Sequence, residues 1–260
     1  HKRAAKTSKI NLTDYCIFDL LPPSQVQRWF SIRSFALQEV LKRKSKPKEY
    51  EILHKAHVLS ETISTNVIKH SIPDKPSRIK YDIFGSTTGR FTTKKGSFPI
   101  LTLKKEERAN ITPQNDLFLE IDLNGAEIRT LLTLSGEDQP CTDIHSWNME
   151  CLSLSSRREA KERFFAWLYN PASLDLDFSK KYDKNIYKKY YNKGILTTPY
   201  SRSIQVEERK ALNYLLQSTT SDIVVESAYK IMKFLENYKS NVAFTVHDSI
   251  VIDMASEDHR

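Results

Sequence analysis

The amino-acid sequence predicts an α+β fold that combines an antiparallel sheet with long helices. Residues 117–123 alternate between two kinds of side chain with the period of a strand. Residues 242–254 have the pattern of two apolar strands joined by a tight turn, which predicts an antiparallel hairpin. Residues 156–169 and 205–235 are long stretches with helical spacing.

The N-terminal part is predicted to hold two helices separated by a basic loop. Two adjacent prolines and a serine suit a helix start, and apolar residues continue with helical spacing over 25–41. The basic run 42–48 ends this helix, and a second helix is predicted over 50–68. Residues 71–78 contain two prolines and are predicted to form a linker.

The middle of the chain is predicted to contain short strands, a loop and a helix. Residues 81–84 are β-like, and residues 86–96 are rich in Ser, Thr, Gly and Lys, as is typical of a loop. A helix is predicted over 125–134, whereas 179–194 is crowded with Lys, Tyr and Asn. The faces of the 117–123 strand carry Leu117, Leu119, Ile121 and Leu123 on one side and Phe118, Glu120 and Asp122 on the other.

Basic side chains are concentrated in the first half of the chain. Residues 1–120 contain 22 basic and 12 acidic residues, whereas residues 121–260 contain 18 and 20. A basic surface of this kind suits a polyanion such as nucleic acid. The alternative is a lysine-rich surface that only contacts solvent.

The three cysteines indicate a reducing environment. Their number is odd, and the spacing of Cys16, Cys141 and Cys151 fits neither a zinc site nor a disulfide framework. We expect free thiols and an intracellular location, in a bacterial cytoplasm, a phage host or an organelle. No apolar run reaches the ~18 residues that a membrane span needs.

Two acidic residues are predicted to lie at the ends of apolar strands. Asp122 ends the 117–123 strand, and Asp248 lies in the hairpin turn. Two such carboxylates can hold two Mg²⁺ ions about 3.5–4 Å apart, the arrangement used for in-line nucleotidyl transfer. The alternative is that each is an ordinary strand-end or turn aspartate.

The predicted helix over 156–169 carries a face that changes from cationic to aromatic. Arg157, Lys161, Phe165 and Tyr169 are spaced four apart, so they follow one side of the helix. A nucleoside triphosphate has the same order of chemistry, with a polyanion at one end and a flat base at the other. The alternative is an amphipathic helix whose aromatic residues face the core.

A second helix carries a polar row. Arg209, Asn213 and Gln217 are again four apart, on a helix that is otherwise apolar. This row suits hydrogen bonds to the minor groove of DNA, where the acceptors vary little between base pairs. The alternative is a solvated face.

Six short motifs then follow one another between Tyr81 and the end of the chain. They are Thr88-Gly89-Arg90-Phe91, Ile121 to Arg129, Asp143-Ile144-His145, Arg157 to Tyr169, Gln217 to Asp222, and Val246-His247-Asp248. In this order they resemble the motifs of the family A DNA polymerases, the group of bacterial DNA polymerase I and many phage replicative enzymes. The chain departs from that pattern at Asn124-Gly125-Ala126, Phe164, Ala166, Asn170 and Ser249.

The resemblance implies a role for each matching residue. Asp122 and Asp248, with the backbone carbonyl of Leu123, would bind two Mg²⁺ ions, for which Mn²⁺ could substitute. Glu127 would exclude a 2′-hydroxyl, and the residues implied to bind the deoxynucleoside triphosphate also include His145, Arg157, Lys161, Phe165 and Tyr169. Lys161 would also protonate the leaving pyrophosphate. The residues implied to contact primer–template DNA are Arg90, Arg129, Arg209, Asn213, Gln217 and His247.

The resemblance also implies a right-hand polymerase core with an antiparallel palm sheet, helical fingers and a partial or reduced thumb. Residues 1–78 would form the reduced thumb or N-terminal helical region. Residues 79–145 and 201–260 would form the palm, without its C-terminal segment, and 146–200 shortened fingers. The expected activity is template-directed DNA synthesis from a primer 3′ end, without a membrane partner. The alternatives are a degenerate polymerase that only binds primer–template DNA and a single-subunit RNA polymerase.

Overall fold

The structure, a computed structural model, describes residues 2–10, 21–170, 172–173 and 175–258. It divides into two units, residues 1–47 and residues 48–260. The helices are α1 (Lys2–Thr7), α2 (Pro23–Arg43), α3 (Tyr50–Thr65), α4 (Lys105–Arg108), α5 (Ala126–Ser135), α6 (Ile144–Cys151), α7 (Arg157–Tyr169), α8 (Leu176–Lys181) and α9 (Glu208–Phe234). Short 3₁₀ turns cover Lys184–Lys189, Leu235–Asn237 and Ser256–Asp258.

The strands are short except at the centre of the second unit. They are β1 (Lys69–His70), β2 (Tyr81–Asp82), β3 (Thr92–Thr93), β4 (Ile111–Thr112), β5 (Leu117–Asp122), β6 (Tyr191–Asn192), β7 (Ile195–Thr197), β8 (Ser203–Gln205), β9 (Asn241–Val246) and β10 (Ser249–Met254). All pairings among them are antiparallel, in the sheets β1-β4, β2-β3, β5-β10-β9 and β6-β7-β8. The predicted α+β class with an antiparallel sheet is confirmed.

The first unit contains the long helix α2, which begins at Pro23. Proline suits a first helical turn because the amide it lacks would have no helical partner there. Phe30, Ile32 and Phe35 are each at least half exposed. The helix matches the one predicted over 25–41.

The sheet β5-β10-β9 brings together distant parts of the second unit. β9 and β10 form the predicted hairpin, and β5 pairs with the outer side of β10. Asp122 pairs with Ser249 across the β5–β10 ladder. The register therefore places the end of β5 beside the hairpin turn.

Helix α9 connects the hydrophobic cores of the second unit. Leu212 and Leu216 pack with α5 and α7, whereas Val224 and Ala228 pack with α3 and the central sheet. Its middle is polar yet buried, and the Thr220 hydroxyl lies 2.9 Å from that of Thr130 on α5. By packing against α5, α7 and the central sheet, helix α9 fixes the elements that carry the site residues.

On β5, Leu117, Leu119 and Ile121 are exposed, whereas on the other face the Phe118 ring lies 5.6 Å from that of Phe244. Two features differ from the sequence-based predictions. Residues 191–205 form a three-stranded sheet that was not predicted, so α9 begins at Glu208 rather than at 205. The helix predicted over 50–68 ends at Thr65.

Two of the three cysteines lie in the described ranges. Cys141 and Cys151 are free and exposed, and Cys16 lies outside these ranges. Within them, no helix has both the length and the apolar composition that crossing a membrane requires.

Candidate active site

The two strand-borne aspartates lie at adjoining chain positions. Asp122 is opposite Ser249, and Asp248 is the residue before Ser249. The Leu123 amide, one residue after Asp122, donates a hydrogen bond of 3.3 Å to the Asp248 carbonyl. Asp122 is exposed and Asp248 is about one-third exposed, at 32%. The sheet thus presents both carboxylates at one edge, where solvent reaches them.

Glu127 forms a bridge between this edge and helix α7. Its side chain is buried on the first turn of α5 and accepts a hydrogen bond from the Tyr169 hydroxyl, at the end of α7. Arg90 Nη2 donates to Glu127 Oε1 at 3.0 Å and lies 3.9 Å from Asp248 Oδ1. Burial, followed by the contact with Glu127, raises the pKa of Tyr169, while a hydrogen bond with Gln217 opposes this.

Asp143 links the cationic end of α7 to the end of β5. Arg157 donates to both oxygens of Asp143, at 2.9 and 2.8 Å. Asn124 Nδ2 also donates to Asp143, at 2.5 Å, and the same carboxylate caps helix α6 by accepting from the Ser146 amide. These hydrogen bonds, above all those from Arg157, hold the pKa of Asp143 far below its usual range.

His145 lies behind this cluster, on the first turn of α6. Its ring is buried, and its centroid is 6.1 Å from that of Phe165 on α7. Burial, and secondarily the Arg157 charge, lowers the pKa of His145. Its Nδ1 is buried and has no hydrogen-bond partner among the described residues.

Gly125 permits the close approach of α5 and α6. Its backbone is left-handed, with φ of 59°, and a Cβ there would lie 2.1 Å from Cγ2 of Ile144. Only glycine combines this conformation with this contact. The departure from the family pattern at Gly125 is therefore matched by the packing of this chain.

The predicted face of α7 adjoins the buried side of the helix, about 100° around the helix axis from it. Ala160, Phe164, Trp167 and Leu168 are the buried residues of the helix. Lys161 is exposed, and the Phe165 and Tyr169 rings stack with centroids 5.8 Å apart. The aromatic end of the face is therefore continuous with Glu127, and its cationic end with Asp143.

Three other departures from the family pattern also have local partners. Phe164 is fully buried, with the rings of Trp167 and Tyr182 around it. Asn170 follows the end of α7, and its carbonyl accepts from Lys184 Nζ at 3.0 Å. Ser249 is buried, and its hydroxyl donates to the Val246 carbonyl at 3.0 Å.

Three of the predicted DNA-contacting residues have partners or surroundings of their own. The Arg129 guanidinium donates to the carbonyls of Asn124, Pro140 and Thr142, at 2.8, 2.9 and 2.8 Å, so in this structure it holds a loop. Arg209 is exposed and forms an ion pair of 2.6 Å with Glu207. His247 is exposed in the hairpin turn.

A cavity of about 720 Å³ adjoins the aromatic end of α7. Tyr169, Arg209 and Asn213 line it, with Trp167 and Lys184. Asn213 Oδ1 is buried and lacks a partner among the described residues. The row Arg209, Asn213 and Gln217 therefore follows the border of the candidate site.

The donor chemistry at the sheet edge fits a magnesium ion. Mg²⁺ is usually held by one or two carboxylates together with water and substrate phosphates, rather than by a closed cage of side chains. Asp122 and Asp248 supply two such carboxylates at an open edge. The described residues contain no cluster of three or more His, Cys, Asp and Glu side chains that could hold a metal ion.

Sequence reasoning assigned no role to two residues of the cluster. Asp143 was part of a motif, but its hold on Arg157 depends on the tertiary approach of α6 and α7. Asn124 links β5 to α6 by accepting from the Ile144 amide at 3.0 Å while donating to Asp143. The Asp143 N-cap position was the one sequence signal available.

Comparisons with known proteins support the fold. No protein-family model matches the sequence, and no curated protein matches it. The chain is similar to a solved structure of the POL domain of Pol1 from M. smegmatis, in complex with DNA primer-template and dNTP, with a TM-score of 0.55 and 14% identity. The match covers 79% of this chain and 46% of that chain, so this chain spans slightly less than half of that structure. Over that 79%, the chain has a polymerase-like α+β fold.

Proposed function

We propose that this chain is the core of a DNA polymerase of the family A type, which adds deoxynucleotides to a primer 3′ end under the direction of a template. The observation that carries the proposal is the adjacency of Asp122 and Asp248 at the ends of paired strands. They are 126 positions apart in the chain. The polymerase-like fold and the order of the sequence motifs support the same function.

The proposed architecture is a right-hand core, with the β5-β10-β9 sheet as palm. Helices α6 to α8 would form shortened fingers, and the N-terminal residues a reduced thumb. The substrates would be primer–template DNA and a deoxynucleoside triphosphate. Pol1 from M. smegmatis was solved with both ligand types.

In this proposal the chain's own residues bind and orient the reactants. Arg157 and Lys161 would neutralise the triphosphate at the cationic end of α7, and Phe165 would pack against its sugar and base. Glu127, held by Tyr169 and Arg90, would lie beneath the sugar and exclude a 2′-hydroxyl.

Asp122 and Asp248, with the Leu123 carbonyl, would hold two Mg²⁺ ions. When bound, such ions supply charge stabilisation for the attacking and leaving oxygens of an in-line displacement. The protein residues contribute positioning and neutralisation, which dominate catalysis of phosphoryl transfer.

Primer extension with Mg²⁺ tests this function. We expect Asp122→Ala to lower extension by about 1,000-fold, because several kcal/mol of charge stabilisation would be lost. Glu120→Ala is the matched control, since it removes a carboxylate from the same face of β5, two residues earlier. If wild-type protein extends no better than Asp122→Ala, the polymerase function is wrong, and retained primer–template binding would favour a non-catalytic DNA-binding protein.

The sugar of the substrate separates the remaining alternative. A buried Glu127 next to the proposed substrate sugar favours deoxynucleotides. We expect extension with deoxynucleotides to exceed extension with ribonucleotides. The reverse order would indicate an RNA polymerase.

A further inference from the structure

A buried ion pair contacts the loop that carries Arg90. Arg202 binds Asp222 of α9 through two of its three donor nitrogens, with Nη2 2.7 Å and Nε 2.8 Å from Oδ1. The Asp222 side chain is fully buried, and that of Arg202 is 12% exposed. An ion pair with this little exposure is held in one geometry, because either charge would be left unpaired if the contact opened.

This pair is itself fixed to two helices. Tyr200, two residues before Arg202, donates to Glu226 at 2.9 Å, and Lys55 of α3 donates to the same carboxylate at 3.0 Å. Glu226 follows Asp222 by one turn of α9. The guanidinium of Arg202 is therefore held in a fixed position by α9 and, through Glu226, by α3.

The backbone at Gly89 contacts the Arg202 guanidinium. A Cβ at Gly89 would lie 2.8 Å from Arg202 Cζ and 3.0 Å from Nη2, which is closer than side-chain carbons approach. The backbone at Gly89 is left-handed, with φ of 77°, and its amide donates to Ser86 at 3.2 Å. The guanidinium plane thus contacts the loop backbone itself.

The next residue, Arg90, connects two groups of the candidate site. It donates to Glu127 at 3.0 Å and lies 3.9 Å from Asp248. Its reach depends on the path of the loop, because a displacement of the backbone at Gly89 moves the start of the Arg90 side chain by a similar amount.

We propose that the Arg202–Asp222 pair positions Arg90. By contacting Gly89 it fixes the loop backbone, and so it places the Arg90 guanidinium between Glu127 and Asp248. Through Arg90 it would set how firmly Glu127 is held against the substrate sugar. Arg202 and Asp222 touch no substrate in this scheme and are positioning residues. The kinetic part of this inference rests on the proposed polymerase function.

The main variant is Arg202→Lys, which keeps the charge but loses the planar fork that contacts Gly89. Arg163→Lys is the matched control, because Arg163 of α7 forms a similar ion pair, at 2.8 Å, with Asp175 at the start of α8. Amide exchange of residues 86–91 is measured by hydrogen–deuterium exchange on the protein alone. We expect about tenfold faster exchange in Arg202→Lys and no change in Arg163→Lys, as for the loss of one charge-assisted hydrogen-bonded anchor.

The second measurement is the preference for deoxynucleotides over ribonucleotides, in wild type and in Arg90→Ala. We expect Arg202→Lys to lower this preference about tenfold in wild type and to have no further effect in Arg90→Ala, since both act through one side chain. If Arg202→Lys lowers the preference equally in both backgrounds, Arg202 acts independently of Arg90, and that result would overturn the inference.

A third variant keeps the test decisive if Arg202→Lys fails to fold. Gly89→Ala disturbs the same contact from the other side, and the same two readouts apply. The double variant Gly89→Ala/Arg202→Lys has the same backbone cost at position 89 as Gly89→Ala alone. The difference between its effect on loop exchange and the sum of the two single effects therefore measures the contact itself. Unchanged loop exchange in both single variants would overturn the inference even if the polymerase is active, whereas faster exchange would support it even if wild type extends no primer.

Discussion

The ion pair between Arg157 and Asp143 makes a specific prediction about nucleotide binding. If Arg157 binds the triphosphate, it must first leave Asp143, where both of its hydrogen bonds are now made, at 2.9 and 2.8 Å. The two side chains are 52% and 27% exposed, so solvent screens the pair and its net worth is about 1 kcal/mol. An opening cost of that size weakens apparent nucleotide binding about fivefold.

Asp143→Asn should remove this cost. Asparagine can still cap α6, because it keeps one carbonyl oxygen for the Ser146 amide, whereas the hydrogen bond that Asn124 Nδ2 donates to the second oxygen is lost. We therefore expect binding of a deoxynucleoside triphosphate to become up to about fivefold tighter. Equilibrium binding to the complex with a primer that lacks its 3′-hydroxyl measures this affinity without turnover.

Asp175→Asn is the matched control. Asp175 binds Arg163 on the same helix and caps α8 through the Phe178 amide, as Asp143 caps α6. This variant should leave nucleotide affinity unchanged. Weaker binding by Asp143→Asn would refute the reasoning, because it would mean that Asp143 holds Arg157 in its binding position rather than competing with the triphosphate.

Three further changes have expected outcomes. Burial and the Arg157 charge lower the pKa of His145, so the neutral ring stabilises the folded state. This stability is complete above pH ~6.5 and is lost as pH falls through the folded-state pKa. In urea unfolding, wild type should therefore lose more stability than His145→Gln between pH 7.5 and pH 5. Phe164→Ala should cost about 3–5 kcal/mol of unfolding free energy because the ring is fully buried; the control Phe84→Ala, at 74% exposure, should be nearly neutral in the same urea titration. Tyr169→Phe should lower the preference for deoxynucleotides about tenfold in primer extension, because it removes the hydroxyl that donates to the buried Glu127 carboxylate.

The sequence was most informative where chemistry and periodicity coincide. The strand ending at Asp122, the hairpin around Asp248 and the helix from Arg157 to Tyr169 were all predicted, because alternation and four-residue spacing extend over six or more residues in each. Antiparallel pairing then explains why two distant aspartates meet. The role of each residue in catalysis stays a prediction.

The features that sequence reasoning missed depend on contacts between elements. Strands β6 to β8 have two or three residues each, which is too short for a periodic signal. The apolar row headed by Leu117 faces outward, and on the other face of β5 the Phe118 ring packs against Phe244 of β9, two strands away in the sheet. Which face is buried depends on such tertiary contacts, and the alternation within one strand does not reveal it. Likewise, the carbonyls that Arg129 binds come from a loop whose path the sequence does not reveal.

The hairpin turn at His247 has a consequence for engineering the stability of this protein. Ser249 pairs with Val246, so the turn consists of two residues, and His247 adopts a left-handed φ of 52°. Residues with a side chain disfavour this conformation by about 1–2 kcal/mol, whereas glycine tolerates it. A selection for thermal tolerance alone would therefore favour His247→Gly, and would discard a side chain next to Asp248 that is proposed to contact DNA. Libraries at this position should be screened for primer extension and for melting temperature together, because the two selections are expected to favour different residues.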